Sequence, residues 1–200
     1  MNLPNKISLT RIAMIPIFVA LFFLDGVLPY NYIISAVIFA LAACTDFIDG
    51  HIARSRGLVT NLGKFLDPIA DKVLVSTAMI LLLCLPQVFS LTGAWANGLY
   101  IATAVCICVI MARELIISAF RQIAAANGVV MAAEKLGKYK TTFQDIAIFV
   151  LIFAGDFTGK AGLIIASVGF GLFAIATILT VWSGISYVVK NKQVLKDKKD

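Results

Sequence analysis

Charged residues are scarce in this chain of 200 residues. They make up 14% of it, whereas apolar residues make up 60% and the mean hydropathy is +0.95. Soluble domains are typically about a quarter charged and about half apolar. The long apolar runs that recur along the whole sequence therefore exclude an ordinary soluble domain and predict a chain whose main solvent is lipid.

Residue types that carry metal or nucleophile chemistry are also rare, apart from carboxylates. His51 is the only histidine, and we interpret it as an interfacial side chain rather than a metal ligand. Cys44, Cys84, Cys106 and Cys108 all lie in apolar stretches, which argues against a disulfide framework or a thiolate metal site. The sequence contains neither a P-loop nor a recognisable nucleophile triad.

The chain lacks an arginine-rich arm and an aromatic strand platform, so its net charge of +6 does not predict a nucleic-acid partner. Of the 17 lysines and arginines, all but Lys160 lie at or near one side of the predicted membrane region. Basic residues concentrate on the cytoplasmic side of membrane proteins. This asymmetry predicts that this side, with both termini, faces the cytoplasm.

Six apolar segments predict an all-α, polytopic membrane protein with six transmembrane helices in a single domain covering residues 1–200. A helix needs about 20 residues to cross a hydrocarbon core of about 30 Å. The segment 1–10 forms either a short interfacial helix or a flexible lead-in, and we interpret the basic tail 190–200 as a solvated end. The predicted spans are 7–24, 32–51, 65–85, 95–125, 138–154 and 161–189.

Four aspartates lie at the predicted cytoplasmic ends of the second and third spans. Asp46 and Asp49 share one face of the second helix, and Asp67 and Asp71 share one face of the third. The short connection makes these helices antiparallel neighbours, so the four carboxylates converge. Their mutual repulsion requires protons or hard cations such as Mg²⁺ or Mn²⁺, and two such ions can clamp a diphosphate.

Small residues and an arginine accompany these acids. Gly50 leaves the helix surface open beside Asp49, and Gly63 lets the connection turn before the third span. Arg54 lies four residues after Gly50, on the same side of the helix, where a phosphate oxygen can meet it. The pattern therefore favours a phosphate-binding site over simple interfacial anchoring.

A second, basic cluster lies on the same membrane side as the aspartates. Its members are Arg113, Arg121, Lys135, Lys138 and Lys140. The two arginines are eight residues apart, near one face of the fourth helix, and the cluster predicts a site for the phosphate of an acceptor. For Lys135 and Lys140, a role as markers of the cytoplasmic side is an equally good interpretation. Glu114 either pairs with a neighbouring cation or lies at the interface, and the role of Asp145 stays open.

The acidic stretch reads Asp46-x2-Asp49-Gly50-x2-Ala53-Arg54-x8-Gly63-x3-Asp67-x3-Asp71. These eight fixed positions over 26 residues match the signature of the CDP-alcohol phosphotransferase family without a departure. The six-span layout also agrees with that family. The segments NLPNKISLTRIAMIPIF, FLDPIADKVLV, MARELIISAFR and LGKYKTT resemble the bacterial members that make phosphatidylglycerophosphate.

The resemblance implies an enzyme of phospholipid biosynthesis in the bacterial cytoplasmic membrane. It would transfer the phosphatidyl group of CDP-diacylglycerol to sn-glycerol 3-phosphate and release CMP, and it would form a homodimer. Asp46, Asp49 and Asp67 would hold two divalent ions, with Asp71 as a further ligand and as the general base. The residues implied for the CDP site are Asp46, Asp49, Gly50, Ala53, Arg54 and Gly63.

Two alternatives use the same aspartates. One is a related transferase that accepts inositol phosphate, serine or phosphatidylglycerol, although the basic cluster favours a phosphorylated acceptor over serine. The other is a cation or proton-coupled carrier. Carriers commonly bind near the bilayer midplane, often within inverted repeats, whereas these acids lie at one membrane edge and no repeat is visible.

Overall fold

The chain folds into helices joined by short connections. A computed structural model describes residues 3–56, 61–126 and 135–192, with the backbone alone for residues 3–7, 46–56, 61–65, 67, 126, 135 and 136. No strand occurs within these ranges, and the predicted all-α class is confirmed. The helices are α1 (Leu3–Phe22), α2 (Asn31–Arg56), α3 (Asn61–Leu82), α4 (Pro86–Ser90), α5 (Ala96–Ala126), α6 (Lys135–Phe153) and α7 (Gly159–Lys190).

Each predicted apolar span overlaps one long helix. Within the part of the chain that the structure describes, two segments are long and apolar enough to cross a membrane, Gly93–Ala125 and Gly159–Lys190. Ser8–Phe22 and Asn31–Thr45 are shorter apolar helical segments. The count of six spans therefore stays a prediction.

The helix boundaries differ from the predicted spans in three places. Residues 3–10 form the first part of α1, so they are neither a separate helix nor a flexible lead-in. The third helix ends at Leu82, and an unpredicted short helix, α4, starts at Pro86, which is well suited to a first helical position because it has no N–H to satisfy. The fifth long helix begins at Lys135, so its basic residues belong to the helix.

The core is rich in aromatic side chains where α1 meets α2. The Phe18 and Phe39 ring centroids are 5.9 Å apart, and those of Phe22 and Tyr32 are 5.3 Å apart. Elsewhere in the bundle, α6 packs along α7. A Cβ atom added at Gly169 would lie 2.7 Å from Leu151 Cδ2, so this glycine permits the close approach of the two helices.

Large apolar side chains also cover the outer surface. Leu115 of α5 is 68% exposed, and Trp182 and Ile178 of α7 are 68% and 64% exposed. Soluble monomers rarely leave extended apolar patches in contact with water. The outer faces of α5 and α7 therefore have the character of surfaces that contact lipid or another protein.

Candidate active site

The aspartate signature lies on the last turns of α2 and the first turns of α3, which pack against each other. The helical backbone places residues 46 and 49 on one face of α2, and residues 67 and 71 on one face of α3. Asp71 is the member of the set whose side chain the structure describes. The convergence of all four carboxylates stays a prediction, because the described side chains do not include those of Asp46, Asp49, His51, Ala53, Arg54 and Asp67.

Asp71 lines a cavity of about 510 Å³ between α3, α5, α6 and α7, which we call the large cavity. Cationic side chains from three of these helices surround it. They are Lys72, Arg113, Arg121, Lys138 and Lys140. The structure thus brings four members of the predicted basic cluster to one space with Asp71, while the side chain of the fifth, Lys135, is outside the described residues.

Arg113 is fixed from two sides. Its Nη1 atom donates to Glu114 Oε1 at 3.0 Å, and its Nη2 atom donates to Ser183 Oγ of α7 at 3.0 Å. The aliphatic part of the side chain crosses Gly184, where an added Cβ atom would lie 3.0 Å from Arg113 Cγ. The helix α7 therefore determines where this guanidinium group lies in the large cavity.

Arg121 is held by the same helix. Its Nε atom donates to the Tyr187 hydroxyl at 3.2 Å, and its Cζ atom lies 5.3 Å from the centroid of the Tyr187 ring. A guanidinium group over an aromatic face gains both a cation–π contact and a defined orientation. Tyr187 is buried and packs edge-on against Phe120 of α5, so the support is itself fixed.

Glu114 joins two of the cations. The Nζ atom of Lys140 donates to Glu114 Oε1, the same oxygen that accepts a hydrogen bond from Arg113. Lys140 is only 5% exposed, so it does not extend to the surface as a marker of the membrane side would. A buried ammonium group needs a counter-charge, and Glu114 supplies it. Of the two interpretations of Glu114 from the sequence, pairing is the correct one.

Lys72 adds a link between α3 and α5. Its Nζ atom donates to Ser118 Oγ, and the Ser118 hydroxyl in turn donates to the Glu114 carbonyl oxygen at 2.6 Å. Lys72 follows Asp71 directly in α3 and lines the same cavity. This link holds the α3 segment that carries Asp71 against the helix that carries Arg113.

Arg11 is a buried cation, although the sequence indicates only that it is one of the basic residues on the cytoplasmic side. It is 1% exposed, and its Nε atom donates to the Ala42 carbonyl oxygen at 3.2 Å and to Thr45 Oγ1 at 3.1 Å. Thr45 in turn bonds back to Ala42 of its own helix. Arg11 therefore braces α2 directly before Asp46. Its position ahead of a long apolar run was the signal in the sequence.

Comparisons with known proteins identify the family of this chain. The family model for CDP-alcohol phosphatidyltransferase matches residues 1–182. The chain is 39% identical to the CDP-diacylglycerol–glycerol-3-phosphate 3-phosphatidyltransferase of Bacillus subtilis (strain 168), over 98% of this chain and 97% of the relative.

Proteins of the same name in other bacteria are similar over nearly the same length. The chain is 36% identical to the one from Salmonella typhimurium, over 98% of each chain, and 36% identical to the one from Rickettsia bellii, over 93% of each chain. The family predicted from the aspartate signature is thus confirmed, and the chain belongs to the CDP-alcohol phosphatidyltransferase family.

Proposed function

We propose that this protein transfers the phosphatidyl group of CDP-diacylglycerol to sn-glycerol 3-phosphate, giving phosphatidylglycerophosphate and CMP. Relatives whose names state this activity match the chain over almost its whole length. The structural observation that supports the activity most directly is the large cavity, in which the signature carboxylate of Asp71 borders the same space as Arg113, Arg121 and Lys138.

The arginines provide the acceptor specificity. Guanidinium groups bind phosphate oxygens through paired hydrogen bonds, and Arg113 and Arg121 are already oriented by α7. Lys138 is exposed and lines the same cavity, so it adds positive charge at the entrance. A phosphorylated acceptor therefore fits this space better than serine does.

The phosphate anchor positions the acceptor for attack. With its phosphate on the arginines, glycerol 3-phosphate presents a hydroxyl group within the cavity that Asp71 lines. The Asp71 carboxylate takes the hydroxyl proton while the hydroxyl oxygen attacks the β-phosphorus of CDP-diacylglycerol. The bond from that phosphorus to the CMP oxygen breaks, and CMP leaves with the electron pair. Holding both groups in one cavity supplies most of the rate gain.

The carboxylates fit a pair of divalent ions. Asp71 presents its carboxylate to the cavity, the backbone of α2 places Asp46 and Asp49 on one face, and carboxylate oxygens are the ligands that Mg²⁺ and Mn²⁺ prefer. Asp46, Asp49, Asp67 and Asp71 would hold the two ions. When bound, such ions neutralise the charge of a diphosphate and of the phosphate that leaves it.

The nucleotide would bind beside these acids, on the last turns of α2. Gly50 and Ala53 present little side chain there, so the cytidine diphosphate can approach the helix, and Arg54 supplies a positive charge to its phosphates. Gly63 completes this site from the first turn of α3.

The proposed setting is the bacterial cytoplasmic membrane. All six long helices span the bilayer, the active site and both termini face the cytoplasm, and two copies of the chain form a homodimer in contact with membrane lipid. The apolar outer faces of α5 and α7 and the one-sided distribution of basic residues support this arrangement.

An assay of CMP release from CDP-diacylglycerol in detergent micelles tests the activity. We expect release when glycerol 3-phosphate is supplied with Mg²⁺ or Mn²⁺, and none after chelation with EDTA. Inositol phosphate, serine and phosphatidylglycerol, tested in parallel, should release much less CMP. No CMP release with glycerol 3-phosphate, or faster release with another acceptor, would contradict the proposal. Cation flux in proteoliposomes without CMP formation would favour a carrier instead.

A further inference from the structure

A smaller chamber of about 120 Å³ adjoins the large cavity. It lies between α3, α5 and α6, and we call it the side chamber. Both spaces are lined by Asp71, Lys72, Glu114, Lys140 and Thr141, so the side chamber opens from the large cavity next to the proposed general base. Its far wall includes Gln144, which has no role in the mechanism described above.

The amide of Gln144 is buried and only half satisfied. The residue is 2% exposed, and its Nε2 atom donates to Met79 Sδ at 3.6 Å, a weak acceptor. No donor among the described residues reaches its Oε1 atom. Because a buried polar atom without a partner is costly, the amide is placed to bind a ligand group.

The lining of the side chamber indicates which kind of ligand group can bind there. Next to Gln144, the Thr141 hydroxyl donates to the Gly137 carbonyl oxygen at 2.9 Å, so its remaining lone pairs can only accept. Most of the remaining lining is apolar, from Val75, Met79, Met111 and Leu115, and Ser76 adds a second neutral hydroxyl.

An ionised group at the Gln144 end would lose its hydration without gaining an opposite charge, because both cations of the chamber lie at the mouth that it shares with the large cavity. There Lys140 is paired with Glu114, and Lys72 donates to Ser118. A neutral hydroxyl that donates one hydrogen bond fits the space.

We propose that the side chamber binds the secondary hydroxyl of glycerol 3-phosphate, which donates to Gln144 Oε1. This inference rests on the proposed function. The phosphate lies on Arg113 and Arg121, and the primary hydroxyl, the less hindered nucleophile, lies at Asp71. The secondary hydroxyl is carried by the carbon between them. Since Asp71 borders both spaces, that carbon comes to the mouth of the side chamber. Gln144 is thus a specificity-determining residue that recognises the hydroxyl pattern of the acceptor.

The test compares two acceptors that differ by this hydroxyl alone. 3-Hydroxypropyl phosphate keeps the phosphate and the primary hydroxyl of glycerol 3-phosphate and lacks the secondary one. For the wild-type protein, we expect kcat/KM with this analogue to be about five- to tenfold lower, the value of one neutral hydrogen bond in a buried site. Gln144→Leu, which keeps a similar volume without the amide, should lose most of this preference, so that its kcat/KM values for the two acceptors become nearly equal.

Gln87→Leu is the matched control. Gln87 lies on α4, lines neither cavity, and also has a buried amide atom, Nε2. This variant should keep the full preference for glycerol 3-phosphate. Loss of the preference in both variants would mean that the effect comes from general loosening of the fold, and it would overturn the proposal.

Two further results would overturn the proposal while leaving the proposed function intact. One is that the wild-type protein uses both acceptors equally well, a result that can be obtained without any variant. The other is a Gln144→Leu protein that keeps the full preference, as expected if the amide holds only a water molecule. If Gln144→Leu does not fold, Gln144→Met carries the same expectation with an unbranched side chain. Failure of the wild-type protein to release CMP with glycerol 3-phosphate would contradict the proposed function instead.

Discussion

The two ends of the helical bundle use polar side chains in different ways. At one end, which we call the closed end, polar side chains complete backbone groups: Asn31 Nδ2 donates to the Phe22 carbonyl oxygen at 2.9 Å, and the Ile33 N–H donates to Asp156 Oδ2 at 2.7 Å. At the opposite end, which we call the cavity end, Glu114 and Lys140 pair with each other beside an open space.

The difference separates what the fold requires from what function requires. Backbone groups at helix ends need hydrogen-bond partners, above all where lipid surrounds the helices. At the closed end, the Asn31 amide and the Asp156 carboxylate are such partners. The cavity end contains several charges that no helix end needs. Buried ion pairs contribute little net stability compared with apolar packing. Their presence around the large cavity is therefore best explained by a charged substrate.

The largest expected effect is the loss of activity in Asp71→Asn. This change keeps the shape of the side chain and removes the proposed base, so CMP release should fall by about a hundredfold to ten-thousandfold. The initial rate of CMP release at saturating glycerol 3-phosphate is the measurement. Asp145→Asn in α6, which lines neither cavity, is the control and should keep most of the activity. Equal losses in the two variants would contradict the role of Asp71.

Removal of an arginine should affect acceptor binding next most strongly. A hydrogen bond to a charged group contributes about 1.5–3 kcal/mol, so Arg113→Ala should raise the KM for glycerol 3-phosphate by about tenfold or more. Lys160→Ala, at the start of α7 near the closed end, should leave that KM unchanged. A normal KM in Arg113→Ala would place the acceptor phosphate elsewhere.

Glu114→Gln should have a smaller effect of the same kind. The amide retains the shape but leaves Lys140 buried without a counter-charge and weakens the contact to Arg113. Since Lys140 then loses its counter-charge and Arg113 keeps only its support from α7, we expect the KM for glycerol 3-phosphate to rise by about three- to tenfold with kcat little changed. Glu114 would be purely structural if the variant lost thermal stability while its KM stayed normal.

The smallest effect on catalysis is expected at the closed end. Asp156→Ala removes the acceptor for the Ile33 N–H near the start of α2, a loss of about 1 kcal/mol by analogy with helix caps. The half-life of activity at elevated temperature in detergent should shorten, while the rate of CMP release per active molecule stays unchanged. A change in acceptor KM would show that the two ends are coupled.

The sequence alone predicted the features that depend on local spacing. The helical class follows from the apolar runs, and the faces that carry the aspartate pairs follow from i, i+3 and i, i+4 relations. The membership of the basic cluster follows from its place on one membrane side. The supports of that cluster could not be predicted. Ser183 is 70 residues from Arg113 and Tyr187 is 66 residues from Arg121, so these contacts depend on how α5 packs against α7.

Burial was the other property that the sequence did not reveal. In the sequence, Lys140 fits a phosphate ligand and a marker of the membrane side equally well, and Arg11 is simply one of the basic residues on the cytoplasmic side. Both are buried in the structure. Composition and charge asymmetry locate a basic residue along the membrane normal, but they do not say whether its side chain points outward or into the bundle.

Because Gly184 contacts Arg113, a residue outside the aspartate signature influences the affinity for the acceptor. A methyl group at position 184 would lie 3.2 Å from Arg113 Nε as well as close to its Cγ atom, and the flexible arginine, rather than the helix backbone, would give way. A change of one carbon atom in α7 would thus alter how much glycerol 3-phosphate the enzyme needs to reach half its maximal rate. The chemistry of the carboxylates would stay the same, so affinity and reactivity can diverge independently among descendants of this sequence.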